Sequence, residues 1–574
     1  MFCMKLRKII FVGNAHIDPV WLWDWREGVS EVLKTFSDAV EFLETNDGTY
    51  FTASSTIFYE WVEEIDKELF QRISGMVANE RWEIVGGWIV EPDCNIPCGE
   101  SFVRHSLYGQ SFYYSRFGRK TNVGYNPDSF GHNGMLPQIL SKSGYKYYVF
   151  MRPKPEEKSL PSPIFWWESP DGSRVLAYRI PFTYTCRGKG IKEIIDRIIE
   201  EYGNDFEVLV AFYGKGDHGG GPSEEDLKIL RKMDGYKGVK IELGTLADAF
   251  EEFLFLEREG KLNIPVVRDE LQYHAVGCYS VVHSVKKLNR IAEHSLLAAE
   301  RIATISSLLT SYKYPKEEIR NAWKKVLFNQ FHDILAGTSI KKAYEEEVIR
   351  NFHYAIQTAD DIITFSIKSI EKDINVTGKG SFFILWNLNA FPVKFPVEYE
   401  VYLTNIEDAD KAVLKDLDGN IIPYEKLPLR SKTFARRLNM KFTAELPALG
   451  YKVYNVVEGD AHESKEPKII SGNSIENSFF KIVKDSEVGF KVIDKQNALE
   501  TFRSGAFALL VLDDYTDTWT HETNQYPDEG EFIKFTEYTA EATALGQRLK
   551  CKGCYNDSYV ELKVSIYNLS LIHI

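Results

Sequence analysis

Cysteine is scarce in this chain. Its 574 residues include seven, an odd number. So few thiols do not make a disulfide framework, and they suit a reducing compartment. The one close pair, Cys551-Lys-Gly-Cys554, has no second pair with which to build a zinc ribbon and reads as two thiols around a turn. Positive charge is also in deficit: 69 Lys and Arg face 83 Asp and Glu, a net −14. Phosphate backbones are bound through clustered cations, so nucleic acid is not the expected partner. No apolar run is long enough to span a bilayer, so no membrane partner is expected. The start, from Met1 to Lys8, lacks the apolar stretch and small-residue cleavage site of a secretory leader. A cytoplasmic protein is therefore expected. There is no internal repeat and no low-complexity tract.

Aromatic residues are plentiful, with 11 Trp, 31 Tyr and 36 Phe. Residues 1–262 alternate short apolar runs with amphipathic segments. Strand-like runs are Ile9–Val12, Tyr50–Ala53, Trp82–Val85, Asn122–Tyr125, Tyr145–Phe150, Val175–Arg179, Val208–Phe212 and Val239–Leu243. Between the first two, Val32, Phe36, Val40 and Leu43 recur at helical spacing. The alternation predicts α/β structure with a largely parallel sheet, open or closed into a barrel. One hairpin interrupts it, from Phe165 through Pro170-Asp-Gly to Tyr178. Residues 268–372 read as helical: one helix over Ser284–Leu309, a second opened by Pro315 and closed by Gly337, and a third over Lys342–Ser369. From 380 to 574 the pattern is β and reads as a sandwich-type module. It ends just after a strand, which suggests a truncated chain whose last few residues are not native sequence.

Almost every polar cluster in the first region follows a strand, where parallel α/β folds bind ligands. His16 and Asp18 follow the first strand and project together from extended chain. Glu91-Pro-Asp93, Asn126-Pro-Asp128-Ser-Phe-Gly-His132, Arg152 and Gly214–Pro222 (around Asp217) follow later ones. The glycines of the last cluster are expected to bring backbone close to a ligand. In the helical region, Gln330-Phe-His332-Asp333 lies within an otherwise amphipathic helix. His16, Asp18, Asp128 and His332 would supply two nitrogens and two carboxylate oxygens. That set suits zinc, with nickel, cobalt and manganese as alternatives. Asp217 is then a carboxyl free of the metal, and two carboxyls in one site are the equipment of a retaining glycosidase.

These motifs resemble glycoside hydrolase family 38, the zinc-dependent α-mannosidases. They run in order as Ala15–Trp23 (AHIDPVWLW), Gly86–Asp93, Asn126–His132, Gly216–Pro222, Glu270–Tyr279, His283 to His294 and Asn329–Thr338, with a weaker match at Asp517–His521. The resemblance implies an N-terminal seven-stranded β/α barrel, a three-helix middle domain and C-terminal β domains, incomplete here. It implies zinc on His16, Asp18, Asp128 and His332, with Asp128 as nucleophile and Asp217 as acid/base. It also puts Trp21 under the mannose ring, and Arg152 and Asp333 beside the nucleophile or the sugar hydroxyls. Trp23 and Trp25 are left as packing residues. Many family members have His-His-Asp where this chain has Phe331-His332-Asp333, so the second His is taken as the ligand. The implied partner is a mannose-containing oligosaccharide; homo-oligomerisation is left open. Competing expectations are a zinc-dependent carbohydrate deacetylase and a non-catalytic carbohydrate-binding protein.

Overall fold

A computed structural model describes residues 4–404, 406–430, 436–459, 466–502, 505–521, 523, 526 and 530–569. Cys3 and the last five residues, questioned above, lie outside the described residues. The chain folds as two compact units, Met1–Ser369 with Tyr515–Gln525, and Ile370–Asp514 with Tyr526–Ile574.

In the first unit, β1 (Lys8–Gly13) lies between β8 (Val208–Tyr213) and β9 (Lys240–Leu243), parallel to both. A second parallel pair is β2 (Phe51–Ala53) with β3 (Trp82–Ile84). The largest sheet joins β4 (Val123–Tyr125), β5 (Tyr147–Phe150), β6 (Ile164–Glu168), β7 (Arg174–Arg179) and β10 (Val266–Val267) in the order β10-β6-β7-β5-β4. The β6–β7 hairpin turns where Pro170-Asp-Gly predicted. The structure thus shows three sheets and, among the described residues, no closed seven-stranded barrel. The middle strands β2, β3 and β4 are three residues long. The β2–β3 pair meets the other two sheets through single links, the Asn14–Thr52 bridge on one side and Gly86 N–H to the Val123 carbonyl on the other.

The helices form for ordinary reasons. In α1 (Trp25–Thr45) Asp24 caps the first turn, and Val32, Phe36, Val40 and Leu43 are fully buried on one face. Each such side chain is worth roughly 1.5–3 kcal/mol on burial. Downstream, the helices His283–Leu309 and Lys316–Asn329 share an apolar core with the helix Ile349–Glu371. The second helix differs from expectation. It stops at Asn329, and a separate helix of five residues, His332–Ala336, follows an extended Phe331 and ends at Gly337.

The second unit is β. Two three-stranded antiparallel sheets, with strand order Ser381–Asn387, Gly450–Glu458, Ala412–Asp416 and Val393–Tyr402, Arg437–Leu446, Tyr424–Leu427, close over a core that includes Phe383, Met440, Phe442 and Tyr454. Two four-stranded sheets follow with their own core around Ile475, Phe490 and Leu549. The β region thus holds two cores within one compact unit. Cys551 and Cys554 lie on one strand, Gly546–Tyr555, with Cys551 buried and Cys554 exposed. Three residues apart on a strand, they face opposite ways and make no turn.

Candidate active site

The chain leaving β1 carries His16 and Asp18, that leaving β3 carries Glu91, and that leaving β4 carries Asp128. Arg152 follows β5 and Asp217 follows β8. His332 reaches them from the helical region because the helix breaks. Asp93 N–H donates to the Gln330 carbonyl at 2.9 Å, and His332 N–H to the Glu91 carbonyl at 3.2 Å. The break thus stitches residues 330–332 onto 91–93 and sets His332 at the start of a new helix.

Around the two imidazoles the donor atoms converge. His16 Nε2 lies 2.9 Å from Asp18 Oδ1 and 4.0 Å from Asp128 Oδ2. His332 Nε2 lies 3.7 Å from each of Asp18 Oδ1, Asp128 Oδ2 and Asp333 Oδ2. The rings are stacked, with centroids 5.6 Å apart. All of these side chains are buried. One atom each from His16, Asp18 and His332 forms a group within 4.8 Å; Asp128 flanks that group through Oδ2 rather than belonging to it.

Several of these atoms have no hydrogen-bond partner. Asp18 Oδ1 and both Nε2 atoms are buried without one, although they are close in distance. Orphaned buried polar atoms are rare and call for an explanation. Two imidazole nitrogens and a carboxylate oxygen, close together but not aligned for hydrogen bonding, fit a divalent cation.

One residue lies at the far side of both rings. His332 Nδ1 is hydrogen-bonded to the Glu91 carbonyl oxygen at 2.9 Å, and His16 Nδ1 approaches Glu91 Oε2 to 3.0 Å without hydrogen-bond alignment. Ser54 donates its hydroxyl to the Glu91 carboxylate. Sequence reasoning noted Glu91 only as part of a cluster.

The electrostatics follow from burial and partners. Burial opposes charge on His16, but Glu91 and Asp18 outweigh it and hold the imidazole well above its ordinary pKa. His332 is likewise pushed up to about 9, its burial outweighed by Asp128 and Asp333. Burial raises Asp333 to about 7, against the pull of His332; its carboxyl also accepts the Thr338 hydroxyl. Asp128 is the opposite case. Despite burial, Arg152 holds its carboxyl far below the usual carboxylate range. Arg152 Nη2 and Nε lie 2.6 and 2.7 Å from Asp128 Oδ1.

Asp217 stands across from this group. Its backbone has φ of +63°, and its carbonyl accepts from Asp18 N–H at 2.9 Å. Its Oδ1 accepts the Tyr184 hydroxyl at 3.0 Å, and the Tyr184 ring meets His16 edge-on at 4.9 Å. Nothing in the sequence singled out Tyr184, which sits in the loop after β7. The neighbouring glycines bring backbone against the chain itself. A Cβ on Gly214 would lie 2.2 Å from the Asn14 carbonyl oxygen. The tryptophans divide as well. Trp21 is half-buried and meets Trp23 edge-on at 5.7 Å. Trp23 is more than packing, since its Nε1 donates to the Asp18 carbonyl at 2.9 Å. Trp25 lies against the helical core.

Comparison with known proteins finds relatives of the two regions that carry these residues. The model for the glycosyl hydrolases family 38 N-terminal domain matches residues 6–256, and that for the α-mannosidase middle domain matches 272–370. An α-mannosidase of Saccharomyces cerevisiae is 30% identical over 382 residues, covering 64% of this chain and 35% of its own. α-Mannosidase G of Dictyostelium discoideum is 32% identical over 371 residues, covering 63% and 33%. The chain thus spans about a third of the length of these relatives. In fold it resembles the crystal structure of an α-mannosidase from Enterococcus faecalis V583, with a TM-score of 0.74 and 17% identity over 95% of this chain and 67% of that one. By class, then, this is a glycosyl hydrolase chain. It belongs to family 38, with that family's N-terminal domain and the α-mannosidase middle domain.

Proposed function

We propose that this chain is the catalytic part of a retaining, exo-acting α-mannosidase that releases terminal α-linked mannose from oligosaccharides or glycans. The observation that carries the reading is the convergence at the strand ends. A buried His16, Asp18 and His332 group with orphaned donor atoms lies beside an Asp128 carboxylate gripped by Arg152, with a second carboxyl at Asp217. The names of the relatives agree with it.

His16, Asp18 and His332, with Asp128, are the residues that would hold a zinc ion. Bound there, a zinc ion would supply Lewis-acid stabilisation to hydroxyls of the sugar. Trp21 offers its face to the sugar ring, and Asp333 an acceptor for a hydroxyl. Asp128, kept ionised by Arg152, attacks the anomeric carbon while Asp217 gives its proton to the departing glycosidic oxygen. Asp217 then takes a proton from water, which displaces Asp128 and releases mannose with its configuration retained. Retention requires the two carboxyl groups to approach to about 5–5.5 Å around the substrate. A cytoplasmic location belongs to the same proposal, supported by six unpaired cysteines among the described residues.

The test uses the full-length protein and linkage-resolved mannobioses, with and without chelator. Mannose release that stops on chelation and returns with zinc is expected. A fluorinated mannoside should label Asp128, and Asp128→Asn should abolish turnover. Acetate release without mannose release, or a covalent label on another residue, would sink the reading.

A further inference from the structure

A line of polar side chains leads from Asp128 away from the site. Arg152 turns Nε and Nη2 to Asp128, and its Nη1 lies 2.7 Å from His274 Nε2. Across the ring, His274 Nδ1 lies 2.5 Å from Glu157 Oε1. A guanidinium has only donors to offer. His274 Nε2 is therefore the bare, accepting nitrogen, and Nδ1 carries the proton and donates it to Glu157. Only this tautomer of the neutral ring is compatible with Arg152, and Glu157 selects it. His274 is 3% exposed and packs on Phe130, with centroids 5.9 Å apart. Arg152 lies over the same ring at 5.8 Å. Glu157 Oε2 is fixed in turn by the Lys154 N–H at 2.7 Å.

We propose that His274 and Glu157 are positioning residues for the nucleophile, holding the Arg152 guanidinium in the orientation that presents the Asp128 carboxylate to the sugar. The inference rests on the α-mannosidase reading and deepens it. When an Asp128 oxygen bonds the anomeric carbon, and the leaving oxygen departs with the Asp217 proton, Asp128 loses its charge. Arg152 then loses its ion-pair partner. His274 keeps the guanidinium in place, so that it meets the carboxylate again when water releases the sugar. Burial holds His274 below its ordinary pKa, against the pull of Glu157, so the ring is neutral and able to accept.

The experiment compares the full-length wild type with His274→Leu, Glu157→Gln, Glu157→Leu and the double Leu variant, using an aryl α-mannoside. It reads kcat, KM, zinc per chain and the thermal midpoint. His274→Leu should lower kcat about 10–100-fold, the scale of a displaced reacting group, with KM little changed and zinc retained. Glu157→Gln, whose amide oxygen still accepts from Nδ1–H, should keep most of the turnover, and Glu157→Leu should match His274→Leu. The double variant should be no worse than either single one, because all act on one guanidinium. Unchanged kcat in His274→Leu, losses that add, or a loss that tracks zinc or unfolding would overturn the proposal.

A wild type that turns over no mannoside defeats the function reading alone. The positioning pair is then read from the nitrogen NMR shifts of His274. A protonated Nδ1 in the wild type that becomes a tautomer mixture in Glu157→Leu supports it, and a protonated Nε2 in the wild type overturns it.

Discussion

At the scale of single residues, Glu91 meets the far side of both imidazoles. It meets His16 through its carboxylate and His332 through its backbone carbonyl, at 3.0 and 2.9 Å. Partners of this kind orient imidazole ligands and raise their basicity; losing one typically costs about 10–100-fold in metal affinity. Glu91→Leu removes the contact to His16 and leaves the carbonyl contact to His332. We predict a loss of zinc affinity within that range, measured by competition with a chromophoric chelator, and a smaller loss in Glu91→Gln. Equal affinity in all three proteins would show that the carboxylate does not orient His16. The sequence brought His16, Asp18, Asp128 and His332 into view because each lies in a short polar motif after an apolar run or within a helical one. Tyr184, His274 and the role of Glu91 were not legible in that way. Tyr184 stands in an ordinary loop, and His274 acquires meaning only from Arg152, 122 residues away in sequence.

At the scale of elements, the break at residues 330–331 matters most. Apolar periodicity runs straight through it, from Trp323, Val326 and Leu327 to Ile334 and Leu335, and predicts one helix. The competing term is tertiary. Asp93 N–H and His332 N–H find partners across the segments 91–93 and 330–332, so the lost helical bonds are replaced. The five-residue helix carrying His332 and Asp333 is then closed from outside. Gly337 ends it with φ of +92°, and Lys286 Nζ donates to the carbonyls of Leu335 and Ala336 at 3.0 and 3.2 Å. An alanine at 337 would be strained at that φ and would bring its Cβ within 2.7 Å of Val281 Cγ2. Gly337→Ala is predicted to destabilise the first unit by about 1–3 kcal/mol, seen as a lower urea midpoint. It should also weaken zinc binding through displacement of His332. A variant with the wild-type midpoint and affinity would mean that the turn relaxes without moving the helix. The expected barrel is not seen as a closed sheet among the described residues, for a related reason. Strand positions follow from apolar runs, but sheets that meet only through single bridges do not close on themselves, and nothing in the runs reveals their pairing.

At the scale of the whole molecule, the candidate site joins the strand ends of the N-terminal α/β region to His332 of the helical region, so a metal bound there is predicted to couple to folding of the first unit. A cation that binds only the folded form adds roughly 2.7 kcal/mol at a free concentration one hundred times its dissociation constant. Thermal unfolding should therefore shift upward with added zinc and downward with chelator, and an unmoved midpoint would count against a metal bound by both regions. The same unit carries a separate acid liability. His105 and His132 are fully buried, with ring contacts to Gln330 and to the Tyr148 hydroxyl, and burial holds both imidazoles down to about 3. In the unfolded chain each titrates near pH 6.5. Between these values the unfolded chain binds a proton that the folded one refuses. Their contribution is therefore fully present above about pH 6.5 and is lost as pH falls towards about 3, at up to ~1.4 kcal/mol per pH unit for each histidine. His105→Asn removes one such proton. Its urea midpoint should fall less steeply than that of the wild type from pH 6.5 down to 4, whatever the offset between the two at pH 7. Parallel curves for the two proteins would show that His105 takes up its proton in the folded state, and that the acid sensitivity of this unit arises elsewhere.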